Sequence, residues 1–229
     1  MTDLHRTLQD HYAGPHGQTE VDVDGWRIDC VADGMIYEIQ TTRLRVLRPK
    51  LEALLPRWPV VLVHPVVVEK QLVRLDVETG EVLSQRRSPK RGRLAQVFGE
   101  LVGLTDLLAS PNLAVEVVLC RAREVRDSRG RPHRWRRRVG PKMVERHLSE
   151  VLGTERAACG ADLLAWAQVA PGERFTTADL AARLAVPIEL ARQVAYVLAG
   201  AGAAQRVGRQ GRLVVYESAI ADSKIATLG

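Results

Sequence analysis

Apolar and polar positions change rhythm along this chain. Up to about residue 150, strand-like and helix-like periods alternate. Asp3 to Tyr12 reads as a short helix, and Glu20 to Val23 as a short strand. Trp26 to Ala32 and Met35 to Thr41 alternate more clearly, around Asp33-Gly34. That dipeptide between alternating apolar residues predicts a two-residue hairpin turn. Leu44 to Arg57 is helical, with Leu44, Leu47, Leu51, Leu54 and Leu55 on one side and Pro49 marking a first turn. Val60 to Val68 is a near-continuous β-branched run, the mark of a buried central strand. Leu72 to Val82 predicts a hairpin about Glu78-Thr79-Gly80, Leu94 to Leu108 a helix, and Leu113 to Arg123 another buried strand. Such mixing predicts an α/β (α+β) domain over residues 1–150, with helices against a mixed sheet.

From about residue 155 the grammar differs. Three helices are expected, at Ala157 to Val169, Thr177 to Leu184 and Ile188 to Leu198. Thr176 or Thr177 suits the N-cap of the second, and Pro187 the start of the third. A short hairpin follows, AAQRVGRQGRLVVYE, with Gly at its tip. Three helices and a β-wing over Glu155 to Glu217 resemble a winged helix-turn-helix, which makes residues 151–229 a second, small domain. The resemblance implies that the third helix enters the major groove and that the wing touches the backbone. Glu189, Arg192, Gln193 and Tyr196 then become helix candidates, and Arg206, Arg209 and Arg212 wing candidates. Many winged helices instead dock proteins, and this third helix is rich in Ala with one Arg.

Charge sharpens the picture. The 229 residues carry 33 Lys plus Arg against 27 Asp plus Glu, a net of +6. Between Cys120 and Glu150, ten Arg and one Lys face four acids, a net of +7, so the remainder is nearly neutral. The densest stretch, Arg129 to Lys142, contains Arg134, Trp135, Arg136 and Arg137; a second cluster, Arg86 to Arg93, contains Lys90, Arg91 and Arg93. Basic side chains interleaved with an aromatic suit phosphate contact plus base stacking, so nucleic acid is the expected partner. The simpler reading is a solvated basic surface. An acidic membrane is disfavoured, because no amphipathic apolar helix accompanies the charge. No run approaches ~18 apolar residues, and the first residues lack the apolar core of a signal peptide. Cys30, Cys120 and Cys159 form no CxxC pair, which argues against a disulfide scaffold or a thiolate zinc site. A soluble, cytoplasmic and nucleoid-associated protein is expected.

The stretch Gly25 to Thr42 carries the candidate chemistry. Pairing outward from Asp33-Gly34 sets Asp29 opposite Glu38, with Arg27 and Gln40 on the same face. Opposed like charges destabilise a sheet, so two carboxylates there need a reason. A divalent cation is one: Mg²⁺ takes one or two carboxylates and keeps room for water and phosphate oxygens. Neutralisation by Arg27 or another Arg is a second, and a one-residue slip that separates the acids is a third.

A carboxylate on one strand, a tight hairpin, then hydrophobic-Glu-X-Gln and a helix resemble the PD-(D/E)XK nuclease superfamily. Asp29 matches the first acid and Glu38-Ile39-Gln40 the (D/E)XK element, within a restriction-endonuclease-like architecture over about residues 1–125. The resemblance implies that Asp29, Glu38 and the Ile39 carbonyl hold Mg²⁺ or Mn²⁺. Glu20 is a further acid and His5 a further ligand candidate, since some relatives place a metal-site residue on the first helix. The departure is Gln40, where the pattern usually has Lys to orient the attacking water and stabilise charge on phosphate. Gln can hold a water but supplies no positive charge. Some members carry Gln there and stay active; others take the lysine from a neighbouring element. Lys50 is the best substitute here, ahead of Lys70.

No GxxxxGK(S/T) loop, GxGxxG turn or GxSxG elbow is present, which disfavours an ATPase, a nicotinamide oxidoreductase and a standard hydrolase. The expected activity is metal-dependent endonucleolytic cleavage of duplex or branched DNA, in repair, recombination or defence. A homodimer is one route to double-strand cutting. The alternative is a non-enzymatic DNA-binding regulator or assembly factor built on an inactive nuclease-like domain. An interaction module whose winged helix grips protein is a third reading.

Overall fold

The computed structural model describes residues 3–76, 78–127 and 143–219. It is a mixed α+β protein built on a large mixed sheet, with a separate three-stranded sheet. The chain forms two compact units: residues 1–41, 62–94 and 116–155 make the first, and 42–61, 95–115 and 156–229 the second. No single cut near residue 150 separates them.

The first unit opens with helix α1, Asp3–Ala13. Leu4 and Leu8 are buried on one face of it, as a 3.6-residue period requires. Strands β1 (Gln18–Val23), β2 (Trp26–Ala32) and β3 (Met35–Ile39) follow as an antiparallel meander. Cys30 pairs with Tyr37, Val31 with Ile36 and Ala32 with Met35, the register that the Asp33-Gly34 turn predicts. Asp33 and Gly34 both take positive φ, 49° and 73°, as a type I′ turn demands. The strand order of the large sheet is β1-β2-β3-β4-β6-β7, with β5 on β4. Here β4 is Val60–Leu75, β5 Val82–Arg87, β6 Leu113–Asp127 and β7 Met143–Ala157.

β4 runs well past the apolar segment that predicted it, because its second half pairs with β5 in the expected hairpin, Leu75 opposite Val82. β7 was not foreseen. Its sequence alternates imperfectly and stays partly exposed, as at a sheet edge. It also takes up the first residue of the helix expected at Ala157 to Val169; the helix that forms is α4, Gly160–Trp166.

The second unit contains a 3₁₀ turn at Leu44–Leu47 and helix α2, Arg48–Leu54, with Pro49 in its first turn. These replace the single helix expected over Leu44 to Arg57. Leu94 to Leu108 is likewise not one helix: a central α3, Val97–Leu101, is flanked by 3₁₀ turns. Gly99 and Gly103 weaken any continuous helix there, and a Cβ on Gly103 would meet the Arg45 side chain at 2.7 Å. After α4 come β8 (Arg174–Thr176), α5 (Thr177–Leu184), α6 (Ile188–Gly200), β9 (Ala204–Gln210) and β10 (Leu213–Ser218). Thr176 caps α5 in a reciprocal box with Asp179. The small sheet is ordered β8-β10-β9, and β8 is an addition to the expected hairpin. Phe98 meets Trp166 edge-to-face at 6.4 Å, and buried Val194, Ala195, Val197 and Leu198 turn α6 inward. Among the described residues, no helix is long and apolar enough to cross a membrane.

Candidate active site

The β1–β3 meander places three acids in one row. Asp29 and Glu38 face each other across β2 and β3, and the Asp29 amide donates to Glu38 Oε1 at 3.3 Å. Glu20 lies between the pairs Thr19–Cys30 and Val21–Ile28, so it falls beside Asp29 on the other side. Each carboxylate is held by different means. The Ile39 amide donates to Asp29 Oδ2 at 2.8 Å, and His5 Nε2 stands 3.2 Å from Asp29 Oδ1. Glu38 is almost completely buried, 1% exposed. Glu20 sits at φ 55°, a conformation that costs a non-glycine residue of order 1 kcal/mol or more. Its carboxyl is held below the usual range, first by the Gln9 amide and then by the Arg27 guanidinium.

Helix α1 supplies the other wall. His5 and Gln9 are one helical turn apart, so both point the same way. Gln9 is 4% exposed, and its Nε2 donates both to Glu20 Oε1 at 2.9 Å and to the Asp29 carbonyl at 2.6 Å. One amide thus ties β1 and β2 together at the acids. Sequence reasoning passed over Gln9; the available signal was a polar pair at i, i+4 beside the Leu4/Leu8 stripe. Arg27 engages Glu20 and Asp22, at 3.1 and 3.2 Å.

Gln40 follows the last residue of β3. Its amide donates to the Val63 carbonyl at 2.9 Å, and its own carbonyl lies 2.7 Å from His64 Nδ1. The next residue on β4, Pro65, has no N–H to offer, and the His64 ring serves that carbonyl instead. This fixes the backbone at the position where the resemblance wants its lysine. Lys50 lies on α2 in the second unit and is buried. Lys70 lies on β4, with its ammonium 2.8 Å from Glu124 Oε2.

The expected nucleic-acid contacts fall into three groups. Lys90, Arg91 and Arg93 are exposed on the loop after β5. That loop is stitched to β4 by Ser88 N–H to the Lys70 carbonyl (2.7 Å) and Gly92 N–H to the Val67 carbonyl (2.9 Å). Any Cβ on Gly92 would come within 2.5 Å of the Val67 oxygen, so only glycine lies this flat. Arg91 pairs with Glu69 at 2.7 Å. Arg134, Trp135, Arg136 and Arg137 lie outside the described residues. Arg192 on α6, Arg209 on β9 and Arg212 at the tip of the β9–β10 hairpin are exposed, as is Tyr196. Arg206 stacks over the Tyr216 ring at 5.9 Å.

One further His/acid group comes together among the described residues. His147 on β7 stands between Asp3 Oδ2 (2.9 Å from Nδ1) and Glu145 Oε2 (3.1 Å from Nε2). Each ring nitrogen already faces a carboxylate, so His147 links α1 to β7 through its contacts with Asp3 and Glu145.

Three comparisons bear on this geometry. Residues 2–158 match the profile of a family described as a domain of unknown function, DUF8091. A protein of Treponema pallidum (strain Nichols), described as an uncharacterized protein, is 35% identical over 157 residues. That alignment takes in 67% of this chain and 61% of the relative, so the chain spans less than two thirds of that protein's length. No solved structure matches. The family match contains α1, all seven strands of the large sheet and the row of acids, and it stops before α4. It covers well over half of the chain, and the protein belongs to the DUF8091 family.

Proposed function

We propose that this chain is a metal-dependent DNA endonuclease of PD-(D/E)XK type, with the chemistry in residues 1–150 and a winged-helix module in residues 151–229. The observation that carries the proposal is the meeting of Asp29 and Glu38 across a hairpin, with Ile39 N–H orienting one Asp29 oxygen. The order of elements agrees with it: a helix, a three-strand meander, a helix and a central strand. The donors present are carboxylate oxygens, the Ile39 carbonyl and the His5 imidazole, a set that fits Mg²⁺ or Mn²⁺. A cation held there would polarise the scissile phosphate and lower the pKa of a coordinated water.

The chain's own residues have separable tasks. Asp29 and Glu38 bind the cation. Gln9 keeps Glu20 and the Asp29 backbone in place. Gln40 orients a water through its amide but leaves developing charge to other groups. In the C-terminal module, Arg192 and Tyr196 on α6 face the major groove, and Arg209 and Arg212 on the hairpin meet phosphate. One site cuts one strand, so double-strand cleavage calls for two copies of the chain.

The test is cleavage of plasmid, linear, single-stranded and branched DNA with Mg²⁺, Mn²⁺ or EDTA, with Glu38→Ala alongside. Metal-dependent cutting that the substitution abolishes while DNA binding persists is expected. Cutting by Glu38→Ala at the parental rate overturns the assignment. Gln40 favours a second reading, a DNA-binding regulator or assembly factor on an inactive nuclease-like domain. Metal-dependent thermal stability separates the two, because a ligand bound to the native state raises the midpoint. The inactive domain would show no shift with Mg²⁺ or Mn²⁺.

A further inference from the structure

The far half of β4 carries a second charged assembly that the active site does not use. Glu124 on β6 is buried, 2% exposed. Three cations converge on it: Lys70 from β4 at 2.8 Å, Arg126 from β6 at 2.6 Å and Arg146 from β7 at 3.3 Å. Burial alone would raise its pKa, but the hydrogen bonds from Lys70 and Arg126 outweigh that and hold it at about 2. Glu124 is therefore ionised at neutral pH, and one negative charge holds three positive ones.

Two more cations stand on the same face. Strand pairing sets Leu72 opposite Arg86 and Arg74 opposite Ser84, and side chains alternate along a strand. Lys70, Leu72 and Arg74 thus share a face with Arg86 and Ser84. Arg74, Arg86, Arg126, Leu72 and Ser84 line a cavity of about 470 Å³. Arg74 and Arg86 are exposed, and among the described residues neither has an ion-pair partner. Five cations and one acid leave this face at +4, a concentration of like charge that a folded protein does not gather without cost. The guanidinium fork matches phosphate oxygens, and Ser84 adds a neutral donor. Glu124 fixes Arg126 before any ligand arrives, which lowers the entropy cost of binding.

We infer that this cavity binds backbone phosphates of the nucleic acid whose cleavage is proposed above, at a distance from the cut; the inference rests on that reading. Two points favour a polymer over a free phosphate. The cavity's cations stand on three strands, Arg74 on β4, Arg86 on β5 and Arg126 on β6, and the charge continues to Lys70 and Arg146 beyond it. Strand β4 also leads back to the candidate active site. Leu72, the first cavity residue on β4, is eight residues beyond His64, which touches the Gln40 carbonyl, or ~26 Å at the rise of a strand. One DNA strand advances ~3.4 Å per base pair, so the cavity lies about eight base pairs from the reacting phosphate. Duplex flanking the cut is held there, whatever its sequence.

The test is binding of a labelled 20-base-pair duplex by the full chain in EDTA, where no cutting occurs, across a salt series. Arg74→Gln/Arg86→Gln is compared with the parent, and an unchanged thermal midpoint confirms that the exposed changes leave the fold intact. The double variant should bind ~10-fold or more weakly, with a salt slope shallower by about 2, one per lost phosphate contact. Unaltered affinity and slope in the variant, or no duplex binding by the parent, overturns the inference. So does displacement of the duplex by inorganic phosphate or pyrophosphate at the same total phosphate, which would assign the cavity to a free anion. Cutting by Glu38→Ala at the parental rate with normal duplex binding overturns the nuclease assignment and leaves this site standing, so the two readings fail separately.

Discussion

Two glutamates are buried in the large sheet, one among cations and one in a row of acids. Glu124 is gripped by Lys70, Arg126 and Arg146 from three adjacent strands. Glu38 lies in a row with Asp29 and Glu20, a gathering of acids on three strands of its own. An acid surrounded by bases has its charge answered within the fold. Acids placed side by side repel one another, and such a cluster gains from a cation. We assign the first arrangement to architecture and the second to the chemistry proposed above. Burial is nearly equal for the two, 1% and 2% exposed, so burial alone does not distinguish them.

The sharpest way to break this comparison is to remove each charge. Glu38→Gln should lower metal-dependent cutting by about 10³-fold or more, since a metal ligand carries transition-state charge. Thermal unfolding with and without Mn²⁺ should show the metal-induced rise in the parent and none in Glu38→Gln. Glu124→Gln should do the reverse. It leaves three cations facing one another, and should cost about 3 kcal/mol in urea unfolding while cutting per folded molecule stays within a few-fold. A Glu124→Gln protein as stable as its parent would remove the architectural role.

Acid titration sharpens the same contrast. The Glu124 carboxyl has its pKa lowered from an ordinary 4.5 to about 2 in the fold. Below 4.5 the unfolded chain takes up the proton first, so stability falls with falling pH. The contribution is fully present above about 4.5 and is lost as pH drops through about 2; at neutral pH it amounts to ~3 kcal/mol. Urea midpoints between pH 5 and 2 should decline steeply in the parent and more gently in Glu124→Gln. Equal slopes would show that other carboxylates dominate.

A smaller effect is expected where the acids are positioned rather than replaced. Gln9→Ala removes the amide that bridges Glu20 and the Asp29 carbonyl. Cutting should fall ~10-fold, with a higher Mn²⁺ requirement, as for outer-shell partners of metal ligands. Saturating Mn²⁺ should recover most of the rate, whereas a purely structural loss would not respond to metal.

What was legible in the sequence follows the range of the interactions. The hairpin at Asp33-Gly34 fixes its own register within a dozen residues, and the Asp29–Glu38 pairing follows from alternation alone. The Glu124 cluster draws on residues 70, 124, 126 and 146, and no local pattern announces it. β7 escaped notice because a half-exposed edge strand needs little apolar periodicity once its neighbour supplies the ladder. The helices expected at Leu44 to Arg57 and Leu94 to Leu108 have the right apolar positions, but Pro49 sits in the first turn of a new helix in the one, and Gly99 and Gly103 weaken the other. Domain organisation was hardest to read, because segments 42–61 and 95–115 cluster with the C-terminal residues.

The smallest predicted effect is at Gln40. Its backbone is held on both sides, by Val63 and His64, so a longer side chain there should not disturb β3. Gln40→Lys restores the cation that the (D/E)XK pattern usually carries, within the row of Asp29 and Glu38. If Gln40 only orients a water, the added charge should stabilise the developing phosphate charge and raise the single-turnover rate by ~3- to 10-fold. If another group of the chain already supplies that charge, a second cation gives repulsion in place of catalysis, and the rate should stay level or fall. Single-turnover cleavage with saturating Mg²⁺ reads this directly, because substrate binding and product release drop out. A gain would mean that this site runs below its capacity for want of one positive charge. A loss would send the search to the remaining lysines, one substitution at a time.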